Sequence, residues 1–266
     1  MSNLIIYHGN CYDGFTAAWI ALKALEKYNT NIVLHAAKFN GDPPDVTEKN
    51  VYILDFSYPR DVMIQMHRDA NSLIVLDHHK TAEENCKDLS FCKFDMNKSG
   101  CGMTWEFFNP GLAPRWIQCV EDRDLWRFAL HETKNVHAYM ASFPMTFENW
   151  DAINNLYIND INIAGNSINR YIQTYINKAI NESRIVNTKF GLAVVLNIPY
   201  QNASETAGIM LGLYPEAKFS VGYFQRGDMK WQYSLRSRSN FDVSKIAKSF
   251  GGGGHAQAAG FESNNI

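Results

Sequence analysis

The sequence predicts an α/β protein made of an N-terminal doubly wound, mostly parallel sheet and a smaller C-terminal α+β domain. Short apolar runs alternate with helical patterns early in the chain, which is typical of parallel strands joined by helices. Later, two strand-like runs flank Gly227-Asp228 and indicate an antiparallel hairpin. The stretch between is rich in Asn, Ile and Tyr and predicts linking helices. We therefore predict a first domain at residues 1–138, a helical linker at 139–187 and a second domain at 188–266.

The composition is that of an ordinary globular protein, and it excludes some classes of function. The 266 residues include 46% apolar and 20% charged side chains, which can form a sizeable core. The net charge of −2 argues against a long nucleic-acid track, which needs many cationic side chains, but leaves a small anionic substrate open. Five cysteines without C-x-x-C spacing favour reduced thiols. With neither a signal-peptide pattern nor a membrane-length apolar run, we predict a cytoplasmic protein that does not bind membranes.

Ionisable side chains follow two of the predicted strands where each strand ends. The apolar run at residues 4–7 leads directly into His8, and Asp13 follows in the same loop. A later run at residues 51–54 ends in Asp55. Ligands of open α/β sheets bind outside the carboxyl ends of the strands, so these side chains are expected to face a site.

The intervening segments complete the pattern of a doubly wound sheet. Residues 31–39 predict another strand. Helices are predicted at residues 15–28, 59–70 and 99–108, the last capped by Ser99.

The run from Leu73 to Thr81 is the feature around which the first domain is organised. Residues 73–76 predict a strand buried on both faces, and Asp77, His78 and His79 follow at once. Asp and neutral His are ligands of divalent cations, although a strand that ends in a polar turn with solvated histidines would give the same pattern. The repetition of this arrangement at several strand ends favours a metal site.

An acidic segment at residues 121–124 follows an apolar helical stretch. Its carboxylates flank Arg123, as at many solvated helix ends, and the pattern alone favours that interpretation. The alternative is a further ligand carboxylate for the metal site.

Two features of the C-terminal domain suggest recognition of an anion. Arg236 shares one strand face with Ser234 and Arg238, and a guanidinium can bind phosphate with two parallel hydrogen bonds. Glycines at positions 251–254 precede His255, and such a run lets backbone amides approach an anion closely. A solvated strand edge and a flexible linker are the respective alternatives.

Together these motifs resemble those of the DHH–DHHA1 phosphoesterases, which include RecJ-like exonucleases, nanoRNases and cyclic-dinucleotide phosphodiesterases. The resemblance covers nearly the whole chain. It implies that residues 1–138 are a DHH domain that holds manganese, and that residues 188–266 are a DHHA1 domain that binds substrate. It also implies that the substrate lies in a cleft between these domains.

The resemblance also implies roles for individual residues. The metal ligands would be His8, Asp13, Asp55, His78 and Asp122, and Asp124 would be a bystander. His79 would lie beside the scissile phosphate, and Asp77 would orient the site. The residues that hold the substrate's other phosphate or its terminal nucleotide would be Arg236, Gly252, Gly253, Gly254 and His255. Family members usually carry two aspartates in the first loop, whereas Asp13 is alone here, so one or two Mn²⁺ ions remain open.

We therefore expect a Mn²⁺-dependent phosphodiesterase that hydrolyses dinucleotides or short oligonucleotides to 5′-mononucleotides. The alternatives are a cyclic-dinucleotide phosphodiesterase, a phosphatase of nucleotide bisphosphates, and an inactive nucleotide-binding protein. A homodimer is left open.

Overall fold

The computed structural model describes residues 2–28, 31–39, 41–238 and 240–264. The chain divides into two compact units, Met1–Asn169 and Arg170–Ile266, and the division falls within a long helix. The sequence predicted boundaries at residues 138/139 and 187/188 instead, and that division into three regions remains a prediction.

The first unit contains a five-stranded sheet whose strands are all parallel. Its strands are β1 (Asn3–His8), β2 (Ile32–Ala37), β3 (Asn50–Leu54), β4 (Ser72–Asp77) and β5 (Cys92–Phe94). Their order in the sheet is β2-β1-β3-β4-β5. Because β1 lies between β2 and β3, the direction of winding reverses between β1 and β3, and this switch point is where such sheets bind ligands.

Helices cover both faces of this sheet, as the doubly wound prediction requires. They are α1 (Tyr12–Leu25), α2 (Arg60–Asp69), α3 (Lys80–Cys86), α4 (Gly100–Phe108), α5 (Arg115–Asp124), α6 (Thr133–Ala141), α7 (Phe147–Asn154) and the start of α8 (Ile158–Ile180). One core joins Ile5 and Leu54 to α1 and to α4 through α8. The other joins Ile6 and Val75 to Met63 of α2.

The local sequence explains why these elements form. Leu4, Ile5 and Ile6 are each at most 1% exposed, so consecutive side chains of β1 are buried on opposite faces and the strand is an unbroken apolar run. The hydroxyl of Ser99 accepts a hydrogen bond from the Gly102 amide, which confirms the predicted cap of α4. The short strand β5 was not predicted, because three residues give too little pattern to recognise.

The second unit contains a six-stranded mixed sheet. Its strands are β6 (Arg184–Thr188), β7 (Gly191–Asn197), β8 (Phe219–Gln225), β9 (Trp231–Ser237), β10 (Gly253–His255) and β11 (Ala258–Ser263), in the order β10-β11-β9-β8-β7-β6. The end of α8 and helix α9 (Tyr200–Leu213) share one core with Val194 and Leu196. Helix α10 (Val243–Ser249) forms another core with Leu235 and Ala259. The predicted hairpin is confirmed as the antiparallel pair of β8 and β9.

Among the helices of the described residues, none has the length and apolar character needed to cross a lipid bilayer.

Candidate metal centre

The candidate site is built around Asp55, the residue that follows β3. Its side chain is 1% exposed, and its backbone has the left-handed φ of 56° that non-glycine residues rarely adopt. Such backbone strain costs about 1–3 kcal/mol and persists where the surroundings enforce it. The Asp55 amide donates to the Leu76 carbonyl of β4 at 2.9 Å, which fixes this turn to the neighbouring strand.

The two oxygens of the Asp55 carboxylate face different histidines. Oδ1 lies 3.1 Å from His78 Nε2, and Oδ2 lies 3.4 Å from His8 Nδ1. Asp55 thereby belongs to two groups of possible metal ligands, one with His8 and His79 and the other with Asp13 and His78. Within each group the ligand atoms lie within 4.8 Å of one another. Asp55 could therefore contribute to holding an ion in either group.

Asp13 is held at this centre by the N-terminus of α4. Its Oδ2 accepts from the Gly100 amide at 2.6 Å, and its Oδ1 accepts from the Cys101 amide at 3.0 Å and from Ser99 Oγ at 2.6 Å. Amides at a helix N-terminus stabilise a carboxylate. Burial nevertheless raises the pKa of Asp13 well above its usual range, and the Asp55 carboxylate raises it further.

Asp77 holds His78 and His79 in position through hydrogen bonds. Its Oδ1 accepts from the amides of His78 and His79 and from His79 Nδ1, the last at 2.7 Å. Its Oδ2 accepts from Ser57 Oγ at 2.6 Å. Burial would lower the pKa of His79, but the Asp77 carboxylate outweighs burial and raises it to about 9. Asp77 thus fixes the ring of His79 and favours its protonated form.

The charges at the centre call for a cation. Three carboxylates lie near His78 Nε2: Asp55 at 3.1 Å, Asp124 at 3.4 Å and Asp13 at 3.8 Å. Burial would lower the pKa of His78, but Asp55 and then Asp124 outweigh burial and raise it to about 10. Clustered buried carboxylates repel one another, and a divalent ion would remove that repulsion.

The hydrogen bonding of the site fits a metal ion. Within the described part of the chain, three buried atoms of this centre have no hydrogen-bond partner: His8 Nδ1, Asp55 Oδ2 and Asp124 Oδ2. Buried polar atoms normally have partners, so such atoms call for an explanation such as an ion. Carboxylate oxygens and imidazole nitrogens are donors that divalent cations accept.

The structure places Asp122 and Asp124 in different surroundings. Its carboxylate accepts from the amides of Ala129 at 2.9 Å and Leu130 at 3.1 Å, and from Thr133 Oγ1 at 2.5 Å. Those bonds hold it to the loop after α5 and to Thr133, whereas Asp124 Oδ2 lies 3.4 Å from His78 Nε2. Residues two apart on a helix point in different directions, so only one of the pair can reach the site. The sequence could not indicate which.

The predicted substrate-binding residues lie in the second unit. Arg236 of β9 donates to Ser204 Oγ of α9 and to the Leu235 carbonyl, while Arg238 donates to the carbonyls of Leu211 and Ala217 around the end of α9. Arg238 therefore supports the fold.

Three of the four glycines at positions 251–254 are required by backbone conformation or by lack of space for a side chain. Gly251 has a φ of +78° just after α10, and a Cβ on Gly252 would overlap the Gly260 carbonyl. Gly254 has a φ of +130°. Gly253 is different, because a Cβ there meets no described atom within 4 Å. His255 ends β10 and is half-buried.

Comparison with known proteins identifies the family of this chain. Residues 187–266 match the DHHA1 domain family. The uncharacterized protein R106 of Acanthamoeba polyphaga mimivirus is 30% identical over 291 residues, covering 99% of this chain and 68% of R106. The chain therefore belongs to the DHH–DHHA1 phosphoesterase family.

Two solved structures have the same fold. The pGpG-specific phosphodiesterase PggH of Vibrio cholerae is 18% identical, with a TM-score of 0.54 over 98% of this chain and 93% of PggH. RecJ of Thermus thermophilus, solved in complex with Mn²⁺, is 14% identical, with a TM-score of 0.53 over 97% of this chain and 49% of RecJ.

We predict that Gly100→Ala destabilises the protein, because the new Cβ would lie 2.9 Å from both Asp55 Cα and Asp13 Oδ2. Overpacking of this kind costs about 1–3 kcal/mol. The control is Gly212→Ala in α9, where a Cβ has open space, so stability should not fall. Urea unfolding of both variants measures the difference. A Gly100→Ala protein as stable as the wild type would contradict the close approach of α4.

A second prediction separates Asp122 from Asp124. Asp122→Ala leaves two backbone amides without their carboxylate partner and should lower the free energy of unfolding by about 2–4 kcal/mol. Asp124→Asn removes one of the repelling carboxylates, so the metal-free protein should be at least as stable as the wild type. Thermal unfolding in the presence of a chelator measures both. Equal losses of stability in the two variants would contradict the different roles assigned here.

Proposed function

We propose that this protein is a Mn²⁺-dependent phosphodiesterase that hydrolyses dinucleotides and very short oligonucleotides to 5′-mononucleotides. The observation that carries this proposal is the shared position of Asp55 in two groups of possible metal ligands, where Asp55 Oδ2 and His8 Nδ1 are buried without a hydrogen-bond partner among the described residues. Two neighbouring cation sites that shared Asp55 as a ligand residue would be suited to binding a phosphoryl group. We take the ligands to be His8, Asp13, Asp55, His78 and, in place of Asp122, Asp124.

The choice of Mn²⁺ follows from the donors. The carboxylates among them suit Mn²⁺, and the ligand groups contain no thiolate, which would favour Zn²⁺. The RecJ structure that contains Mn²⁺ supports the same choice. When bound, the ion would lower the pKa of a water molecule towards neutrality and offset charge that develops on the phosphoryl oxygens.

His79 is the residue that we assign to proton transfer. Asp77 holds its Nδ1 at 2.7 Å and favours the protonated ring, so His79 can donate a proton to the leaving oxygen or a hydrogen bond to the phosphoryl group. Asp77 acts through His79 and is a positioning residue. This arrangement keeps the imidazolium oriented before the substrate arrives.

Residues of the second unit would bind the substrate. Arg236 carries a fixed charge beside the hydroxyls of Ser204 and Ser234, and these groups can together bind phosphate oxygens. Gly253 leaves room for a ligand to approach the backbone before His255. We assign Gly252 and Gly254 mainly to the geometry of this loop.

The charge balance favours a short substrate. The chain has 25 Lys and Arg against 27 Asp and Glu, which leaves little cationic surface for tracking many phosphates. A relative with the same fold is a pGpG-specific phosphodiesterase, which supports a dinucleotide. If binding requires a free end, cyclic dinucleotides should react more slowly than linear ones.

The first test of this function is metal-dependent turnover. With a dinucleotide such as pApA, exhaustive chelation should abolish hydrolysis and Mn²⁺ should restore it. Asp55→Asn and Asp124→Asn should each lower kcat by about two orders of magnitude or more and weaken Mn²⁺ binding, because both lose a ligand oxygen. The control is Asp69→Asn at the exposed end of α2, which should leave both quantities unchanged. Full activity in the chelated protein, or in Asp124→Asn, would exclude this mechanism.

A second test concerns substrate length. We expect kcat/KM to be highest for dinucleotides, to fall for chains of five and twenty-four nucleotides, and to depend weakly on salt, because few counterions are released. Steady-state kinetics with the three lengths at two salt concentrations measure this. Preference for the longest strand with a steep salt dependence would instead indicate an exonuclease that tracks along its substrate.

A further inference from the structure

An exposed aromatic ring lies at the edge of the candidate metal centre. Phe39 follows β2, and 59% of its surface is exposed. Its ring centroid is 5.2 Å from that of His8 and 6.2 Å from that of His79. Phe39 therefore contacts both histidines that share a ligand group with Asp55.

The geometry of these contacts leaves the face of the Phe39 ring available for stacking. The planes of His8 and His79 are nearly perpendicular to that of Phe39, at 75° and 81°. Phe56, at 5.3 Å, is tilted by 44°. None of these three neighbours stacks parallel on Phe39, so a flat ligand can still do so. Phe56 is 2% exposed and supports the ring from the protein interior.

We propose that Phe39 is a stacking surface for the nucleobase of the nucleotide whose phosphate lies at the metal centre. This inference rests on the proposed function, since it assumes a nucleotide substrate. A base is joined to its phosphate through a single ribose, so a phosphate beside His8 and His79 brings its base close to Phe39. An aromatic ring accepts the π-face of any base, so Phe39 would contribute affinity without selecting a base.

Two other interpretations of Phe39 make different predictions. A phenyl ring that only buttresses His8 would act through the metal ligand, and its loss would weaken Mn²⁺ binding. A single exposed apolar side chain can also have no function at all. The position of the ring, beside two histidines of the site and open to solvent, favours contact with a ligand.

The test compares two probes that differ only by the base, adenosine 5′-monophosphate and ribose 5-phosphate, by calorimetry on the Mn²⁺-loaded protein. In the wild type the base should strengthen binding by about 10- to 100-fold, the range that base stacking on one ring supplies. Phe39→Ala should bring this ratio close to one, and Phe39→Trp should preserve it. Phe39→Leu, which keeps apolar bulk without a π-face, should behave like the Ala variant. Tyr28→Ala, at an aromatic residue that is 89% exposed beyond the end of α1, should keep the wild-type ratio.

The outcomes distinguish this inference from the proposed function. A ratio that is unchanged in Phe39→Ala, or fully preserved in Phe39→Leu, would overturn base stacking. A large loss of Mn²⁺ affinity in Phe39→Ala with no change in the ratio would instead assign Phe39 to the support of His8. Because the probes need no turnover, failure of the wild type to hydrolyse dinucleotides would refute the proposed function and leave the binding ratio as the measure of Phe39.

Discussion

The buried carboxylate of Asp55 is the constraint on which the rest of the site depends. It is held in a strained left-handed turn by a hydrogen bond to β4, and each of its oxygens faces a different histidine. Burial would raise the pKa of Asp55, but a hydrogen bond to His78 and the neighbouring His8 outweigh burial and lower it. Asp13 and Asp124 lie close by, and bringing like charges together away from water is costly. The fold maintains an arrangement that a divalent cation would stabilise.

Two aspartates outside the proposed ligand set support the geometry of the candidate site. Asp77 accepts hydrogen bonds from the backbone and ring of His79 and from Ser57. Asp122 of α5 accepts two hydrogen bonds from the following loop and one from Thr133 at the start of α6, and this loop contains left-handed residues at Trp126 and Phe128. Such supporting bonds would hold the proposed ligands and His79 in place before a substrate binds, as a site that acts by positioning requires.

The glycine run of the second unit shows that structural and functional demands can share one motif. Its first, second and fourth glycines are required by backbone conformation or by close contact with β11. Only Gly253 is free of such a demand among the described residues. A motif that resembles a binding sequence therefore need not use every residue for binding, and the geometry of each position separates the two roles.

The sequence by itself determined the fold class, most strands of the parallel sheet, and the placement of His8, Asp13, Asp55 and the Asp77-His78-His79 run at its carboxyl edge. It could do so because burial on both faces gives unbroken apolar strands, and parallel strands bring their ends to one edge. The choice between Asp122 and Asp124 needed the tertiary structure, since it depends on how α5 is rotated about its axis. Packing between distant segments also decides that the N-terminus of α4 donates hydrogen bonds to Asp13 and that Phe39 lies near His79. No local sequence pattern encodes such packing.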